Sequence, residues 1–207
     1  MEPWGKSMST IIEQDPNANT EKQFIESIDI TGYTCLDVGF NYGWWSALFL
    51  KQIGKEGKVY AWEPNTFLFT NHLSKWPFKN LQGYDNALSD RTSESDFYIH
   101  AEEGTQSGYN SLEPMQSYQK KITVKTDTLD NWWKKNSKPN VDFIKIDCEG
   151  HDLKVVKGGQ EMIKATMPTF VVIEQSDEDV SDLFRSMNYT DQNEYNEFGL
   201  NDKVWTT

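Results

Sequence analysis

The chain has 207 residues, 37% of them hydrophobic and 14% aromatic, which is enough for one sizeable core and argues against wholesale disorder. Thirty-two acidic residues against 20 basic ones give a formal charge of −12, a balance that disfavours phosphate backbones and anionic membranes as partners. No apolar run approaches the ~20 residues of a membrane span. The first residues, Met1 to Asp15, have no basic stretch leading into an apolar one, so a reduced, cytoplasmic protein without a signal peptide is expected.

The two cysteines, Cys35 and Cys148, are far apart, and no zinc-type spacing can be built from them with His72, His100 and His151. Asn188-Tyr189-Thr190 has the form of a glycosylation acceptor, read here as chance.

Residues 1–20 are polar and turn-rich and are expected to form an N-terminal arm, with residues 21–207 forming a single domain. Phe24, Ile25 and Ile28 stand at helical spacing in a first short helix. Strands and helices then alternate: Tyr33–Val38 as a strand, Tyr42–Ile53 as a helix, Lys58–Trp62 as a strand, Asn65–Lys75 as a helix ended before Pro77, and Asn80–Leu88 as a third strand. Ser95–His100 and Lys121–Thr126 alternate in the β manner. The polar stretch between them, 101–119, reads as an insertion loop, either one that covers a binding cleft, with Tyr109 and Tyr118 to stack on a ligand and Ser107, Asn110 and Ser111 to hydrogen-bond it, or a disordered one. Thr128–Lys135 reads as a short helix, Val141–Asp147 as the clearest strand, His151–Lys164 as one helix, Thr169–Glu174 as a buried strand and Asp177–Met187 as an acidic helix. The remaining residues suit a terminal hairpin. The alternation predicts an α/β fold, a Rossmann-like doubly wound and mainly parallel sheet with helices on both faces.

Four strand ends carry the polar residues of interest. Asp37-Val38-Gly39-Phe40-Asn41-Tyr42-Gly43 runs from a strand through a glycine turn into a helix, where backbone can approach a ligand and free N–H groups are presented. The pattern is G-x-N-x-G rather than the dinucleotide G-x-G-x-x-G. A carboxylate at Asp37 would repel a pyrophosphate but attract an ammonium or sulfonium. Glu63, with Pro64 behind it, ends the second strand about twenty residues after the glycine turn, a spacing suited to two ribose hydroxyls. Asn86 can offer both faces of an amide to an adenine, although a turn-forming role competes. Lys145 and Asp147 share one face of the fourth strand, which argues for pairing, for a cleft, or for both.

The segments at 37–43, 62–64, 86–90, 126–130, 144–150 and 172–174, with Gly108 to Leu112 between them, resemble the FkbM-type methyltransferases in order and spacing. I-K-I-D-C-E-G at 144–150 is the most diagnostic. The resemblance implies a class I methyltransferase sheet, S-adenosyl-L-methionine as methyl donor, and O-methylation of a hydroxyl on a sugar, glycan or small natural product. By position it implies that Asp37, Gly39, Asn41 and Gly43 hold the methionine end, Glu63 the ribose, and Asn86 with Ala87 the adenine, with Asp147 near the transferring methyl. The sequence departs from the family at Asp152, where glutamate is more frequent. Asp147 and Glu149 are the first candidates for a catalytic base, with His151 as the alternative. The two carboxylates are also oxygen ligands of the kind a divalent cation takes, although no metal is assigned. An NAD or nucleotide-sugar enzyme and a non-catalytic binding module on the same fold stay open as alternatives.

Overall fold

The computed structural model describes residues 18–100, 109–114, 118–174, 177–192 and 202–207. Most of the expected arm, the loop positions 101–108 and 115–117, and residues 193–201 of the terminal hairpin lie outside them.

Helix α1 (Ala18–Ser27) precedes a core of strands β1 (Thr34–Val38), β2 (Lys58–Trp62), β3 (Leu81–Tyr84), β7 (Phe143–Ile146), β8 (Phe170–Ile173), β9 (Thr190–Asp191) and β10 (Lys203–Thr206), in the sheet order β3-β2-β1-β7-β8-β10-β9. The first five pair in parallel, and β10 runs antiparallel to both β8 and β9. Strand order reverses beside β1, so the carboxyl ends of β1 and β7 open a crevice on one edge, the place where doubly wound sheets bind ligands. Helices α2 (Trp44–Gln52), α3 (Thr66–Asn71), α4 (Leu129–Lys135), α5 (Asp152–Lys157), α6 (Gln160–Thr166) and α7 (Glu178–Ser186) complete the fold.

The central strands are buried on both faces. One face packs Leu36, Ile144, Ile146, Val171 and Ile173 against α4, α5, α6 and α7. The other packs Cys35, Val59, Phe143 and Val172 against Phe24, Ile25, Trp45 and Phe49 of α1 and α2. This double coverage explains why these strands read as continuous apolar runs rather than alternating ones.

Two expected elements are divided. The run from Asn80 to Leu88 is not one strand: Leu81–Tyr84 joins β2, whereas Ala87–Leu88 (β4) leaves the main sheet and pairs with β6 (Lys120–Asp127) in a small second sheet of order β4-β6-β5, with β5 being Ser93–Ile99. The expected helix from His151 to Lys164 is two helices broken at Gly158-Gly159. There the backbone passes so near β4 that a Cβ on Gly158 would stand 2.0 Å from the Ser89 carbonyl oxygen. The second sheet thereby sits over the carboxyl edge of the first, where it walls the crevice.

Candidate active site

A cavity of about 430 Å³ opens at the carboxyl ends of β1, β2, β7 and β8. Gly39, Asn41, Glu63, Pro64, Ala87, Asp147, Glu149 and His151 all line it, so eight of the eleven sequence-expected positions meet in one space. Asp37, Gly43 and Asn86 do not line it. Asp37 is 1% exposed and accepts a hydrogen bond from the Ser46 hydroxyl on α2; burial, partly offset by that bond, raises its carboxyl to about 7. It anchors α2 behind the glycine turn and is not among the lining residues. Gly43 caps the start of α2, and the Asn86 amide donates to the adjacent Ala87 carbonyl at 2.8 Å, the turn role that competed with adenine binding.

Glu63 follows directly on β2 and is buried. Its two oxygens accept backbone N–H groups from opposite sides, Oε2 from Asn41 at 2.7 Å and Oε1 from Asn65 at 2.8 Å. Burial raises the carboxyl to about 8 against the lowering effect of those two bonds. Each oxygen keeps lone-pair capacity for a further donor. Asn41, beside it, leaves its side-chain Oδ1 buried with no hydrogen-bond partner among the described residues. Leu68, Leu88, Phe97 and Leu112 supply the apolar part of the wall.

Across the cavity, carboxylate oxygens of Asp147, Glu149 and Glu174 lie within 4.8 Å of one another. Burial, and next the charge of Asp147, raise Glu149 to about 7 and Glu174 to about 9. At neutral pH Glu174 thus keeps its proton beside Asp147, as close carboxyl pairs do. A hard divalent cation would also find three oxygen ligands here.

His151 is buried. It is the N-cap position of α5, 5% exposed, with Nδ1 2.7 Å from Glu113 Oε1 and Nε2 2.9 Å from Ser89 Oγ. Nδ1 donates to the Glu113 carboxylate, and burial lowers the imidazole below its ordinary pKa. Asp152 accepts the Cys148 backbone N–H through Oδ1 at 3.2 Å and fixes the turn that carries Glu149.

Of the 101–119 segment, residues 109–114 and 118–119 are described. Tyr109, Asn110 and Leu112 line the cavity, while Tyr118 packs edge-on against Tyr98 and is not among the lining residues. Ser107 lies outside the described residues. Among the cavity residues that sequence reasoning did not single out are Thr20 and Glu21 from α1, and Asp202 just before β10. Helical periodicity drew attention to the apolar face of α1 and hid Glu21. Asp202 follows a polar stretch with no pattern.

Residues 37–196 match the family described as Methyltransferase FkbM domain. The chain belongs to the FkbM methyltransferase family. It is an S-adenosylmethionine-dependent methyltransferase with the Rossmann-like fold that the strand order displays. The 2-O-methyltransferase NoeI of Sinorhizobium fredii is 26% identical over 172 residues, 77% of this chain and 70% of that protein. The crystal structure of Methyltransferase FkbM from Methylobacillus flagellatus superposes with a TM-score of 0.55 at 13% identity, covering all of this chain and 61% of the other, which supports the fold. No helix among the described residues is long and apolar enough to cross a membrane.

Proposed function

We propose that this protein O-methylates a hydroxyl group of a sugar, glycan or related small polyol, with Glu63, Asn41, Gly39, Pro64 and Ala87 holding the donor and Asp147 serving the acceptor. The observation that carries the reading is the meeting of Glu63 and the Asp147–Glu149–Glu174 group in one cavity at the carboxyl edge of the sheet. NoeI, named a 2-O-methyltransferase, supports oxygen as the acceptor atom.

The donor set suits S-adenosylmethionine. Glu63 retains acceptor capacity for the two ribose hydroxyls, and the unpartnered Asn41 Oδ1 can take an ammonium hydrogen. Leu68, Leu88, Phe97 and Leu112 offer an apolar slot to a purine. The cofactor supplies a methyl group already activated on a sulfonium. What the chain must add is alignment, exclusion of water and a place for the hydroxyl proton.

Asp147 is assigned that last role. Its carboxylate accepts the proton as the acceptor oxygen loses it and becomes neutral; before that transfer Glu174, still protonated, steadies its charge from alongside. Glu149, half buried and near 7, can relay the proton toward solvent. His151 is given no proton-transfer role because both ring nitrogens already have protein partners. The acidic wall favours neutral or cationic acceptors over phosphorylated ones.

Calorimetric titration with S-adenosylmethionine, S-adenosylhomocysteine and NAD tests the donor side. Methyl-labelled S-adenosylmethionine with a panel of neutral glycans tests the acceptor side. Binding of NAD without S-adenosylhomocysteine, or label transfer only to amines or thiols, would refute the proposal.

A further inference from the structure

Lys145 is 1% exposed, a charged side chain sealed inside the protein under the cavity floor. Burial opposes its charge, but Asp147 and Asp202 outweigh that and hold the ammonium firmly protonated. It does not share itself equally between them. Its Nζ stands 2.9 Å from Asp202 Oδ2, a direct hydrogen bond, and 3.7 Å from Asp147 Oδ2, beyond one. The ring of Trp45 lies on another side, with its centroid 5.3 Å from Nζ. Asp202 is itself 6% exposed and lines the same cavity as Asp147. It stands beyond residue 196, where the family match ends.

The pairing register explains the convergence. Lys145 of β7 is level with Val172 of β8, and Val172 pairs with Val204 of β10, so the residue two before Val204 arrives beside the ammonium. Without Asp202, the nearest strong acceptor for a buried ammonium would be Asp147, and a contact ion pair would form there. Asp147 would then be neutralised by its neighbour and turned away from the ligand.

We propose that Asp202 is a positioning residue that acts through Lys145: it draws the ammonium off Asp147, so that the Asp147 carboxylate keeps its charge toward the cavity, where the donor's sulfonium and the acceptor hydroxyl meet. The inference rests on the assignment of Asp147 to the methyl-transfer locus. It adds to the reaction centre a residue just before the C-terminal strand, one that acts through Lys145.

The test compares a cationic with a neutral ligand on otherwise equal skeletons. S-adenosylmethionine carries the sulfonium charge and S-adenosylhomocysteine does not, so the ratio of their dissociation constants, measured by calorimetry, reports the charge that Asp147 presents. In Asp202→Asn the hydrogen-bonding shape is kept and the charge is lost. S-adenosylmethionine affinity is expected to fall by about tenfold, with S-adenosylhomocysteine affinity unchanged. Asp202→Glu restores the charge and is expected to restore the ratio. A folded Asp202→Asn protein with an unaltered ratio, including one in which both ligands weaken equally, would overturn the proposal and leave Asp202 a strand anchor. If Asp202→Asn gives no cooperative melt, Asp202→Glu carries the test alone: a wild-type ratio supports the proposal and a collapsed ratio in the folded protein refutes it. Failure of the wild type to bind either ligand would instead remove the donor assignment itself.

Discussion

Gly39 and Asp147 touch through their backbones: a Cβ built on Gly39 would stand 1.9 Å from the Asp147 carbonyl oxygen. Asp147 in turn donates its N–H to the Val38 carbonyl at 2.9 Å, so the ends of β1 and β7 are locked at their closest approach beneath the cavity. Gly39 also has φ +94°, a conformation that costs a side-chain-bearing residue strain. Gly39→Ala must either open the β1–β7 edge or twist the turn, at a cost of about 3 kcal/mol or more. A lowered melting temperature and loss of S-adenosylhomocysteine binding are expected. An Ala variant that melts and binds as wild type would show that the turn is looser than the packing implies.

Glu63 combines two functions that are separable by substitution. Its carboxylate holds the backbone N–H groups of Asn41 and Asn65, so Glu63→Ala leaves two buried donors unsatisfied at about 1–3 kcal/mol each. Glu63→Gln keeps one acceptor oxygen and the side-chain volume. The Ala variant is therefore expected to lose both stability and donor affinity, and the Gln variant mainly affinity, by about tenfold to a hundredfold. Thermal melts paired with S-adenosylhomocysteine titrations check this. Equal affinities for wild type and Glu63→Gln would remove Glu63 from the ribose assignment.

The contrast between Glu63 and Asp37 shows what can be read from the chain alone. The β1 and β2 tips, the glycine turn and I-K-I-D-C-E-G are local signals: apolar runs stopped by glycine or acid, whose ends must lie on one edge if the strands are parallel. The direction of each acid is not local. Asp37 turns to Ser46 and Glu63 turns inward because of which helix packs over each strand end, and that is set by tertiary contacts. The split between Tyr84 and Ala87 has the same origin, since strand identity there depends on pairing with β2 or with β6, the latter some 39 residues distant at Ala87–Thr126. Gly158-Gly159 was a legible warning that the helix after His151 breaks. The Lys145–Asp202 pair, 57 residues apart, is written only in the sheet order.

The buried carboxyls predict a pH response. Asp37, Glu63 and Glu149 are raised to about 7, 8 and 7, and Glu21 and Glu174 to about 8 and 9. A carboxyl whose folded pKa lies above its unfolded value binds more protons when folded, so stability falls as pH rises from the unfolded toward the folded value. His151, lowered by burial, acts oppositely but only below its ordinary value of 6.5. Above that, the carboxyls dominate. The ligand-free protein is expected to melt at a lower temperature near pH 8.5 than near pH 6.5, and the stabilisation by cationic S-adenosylmethionine to grow over the same interval. A ligand-free melting temperature that is flat or rises over that interval would show these carboxyls to be better solvated than their burial indicates.

The last prediction concerns residues 109–114, the described part of the insertion. Ser111 pairs with Tyr98 through both backbone groups, at 2.8 and 3.1 Å, and its hydroxyl donates to the Glu149 carbonyl at 2.8 Å. Two residues on, Glu113 Oε1 receives both His151 Nδ1 and Lys154 Nζ at 2.7 Å, and His151 is braced from behind by Ser89. The segment is thus docked onto the turn that carries Glu149, and it brings Tyr109, Asn110 and Leu112 to the cavity wall. His151 is the pivot of that docking, which explains why a histidine stands buried at the start of α5. His151→Ala, Ser89→Ala and Glu113→Gln should each loosen the same contact, by about 1–3 kcal/mol. All three are expected to raise amide hydrogen exchange across 109–114 and to weaken S-adenosylhomocysteine binding in parallel. A general base behaves otherwise. If His151 removed the acceptor proton, His151→Ala would abolish methyl transfer while Ser89→Ala and Glu113→Gln retained most of it, and exchange at 109–114 would separate from activity. Parallel losses in the three variants assign His151 to docking and leave proton removal to the carboxylates across the cavity.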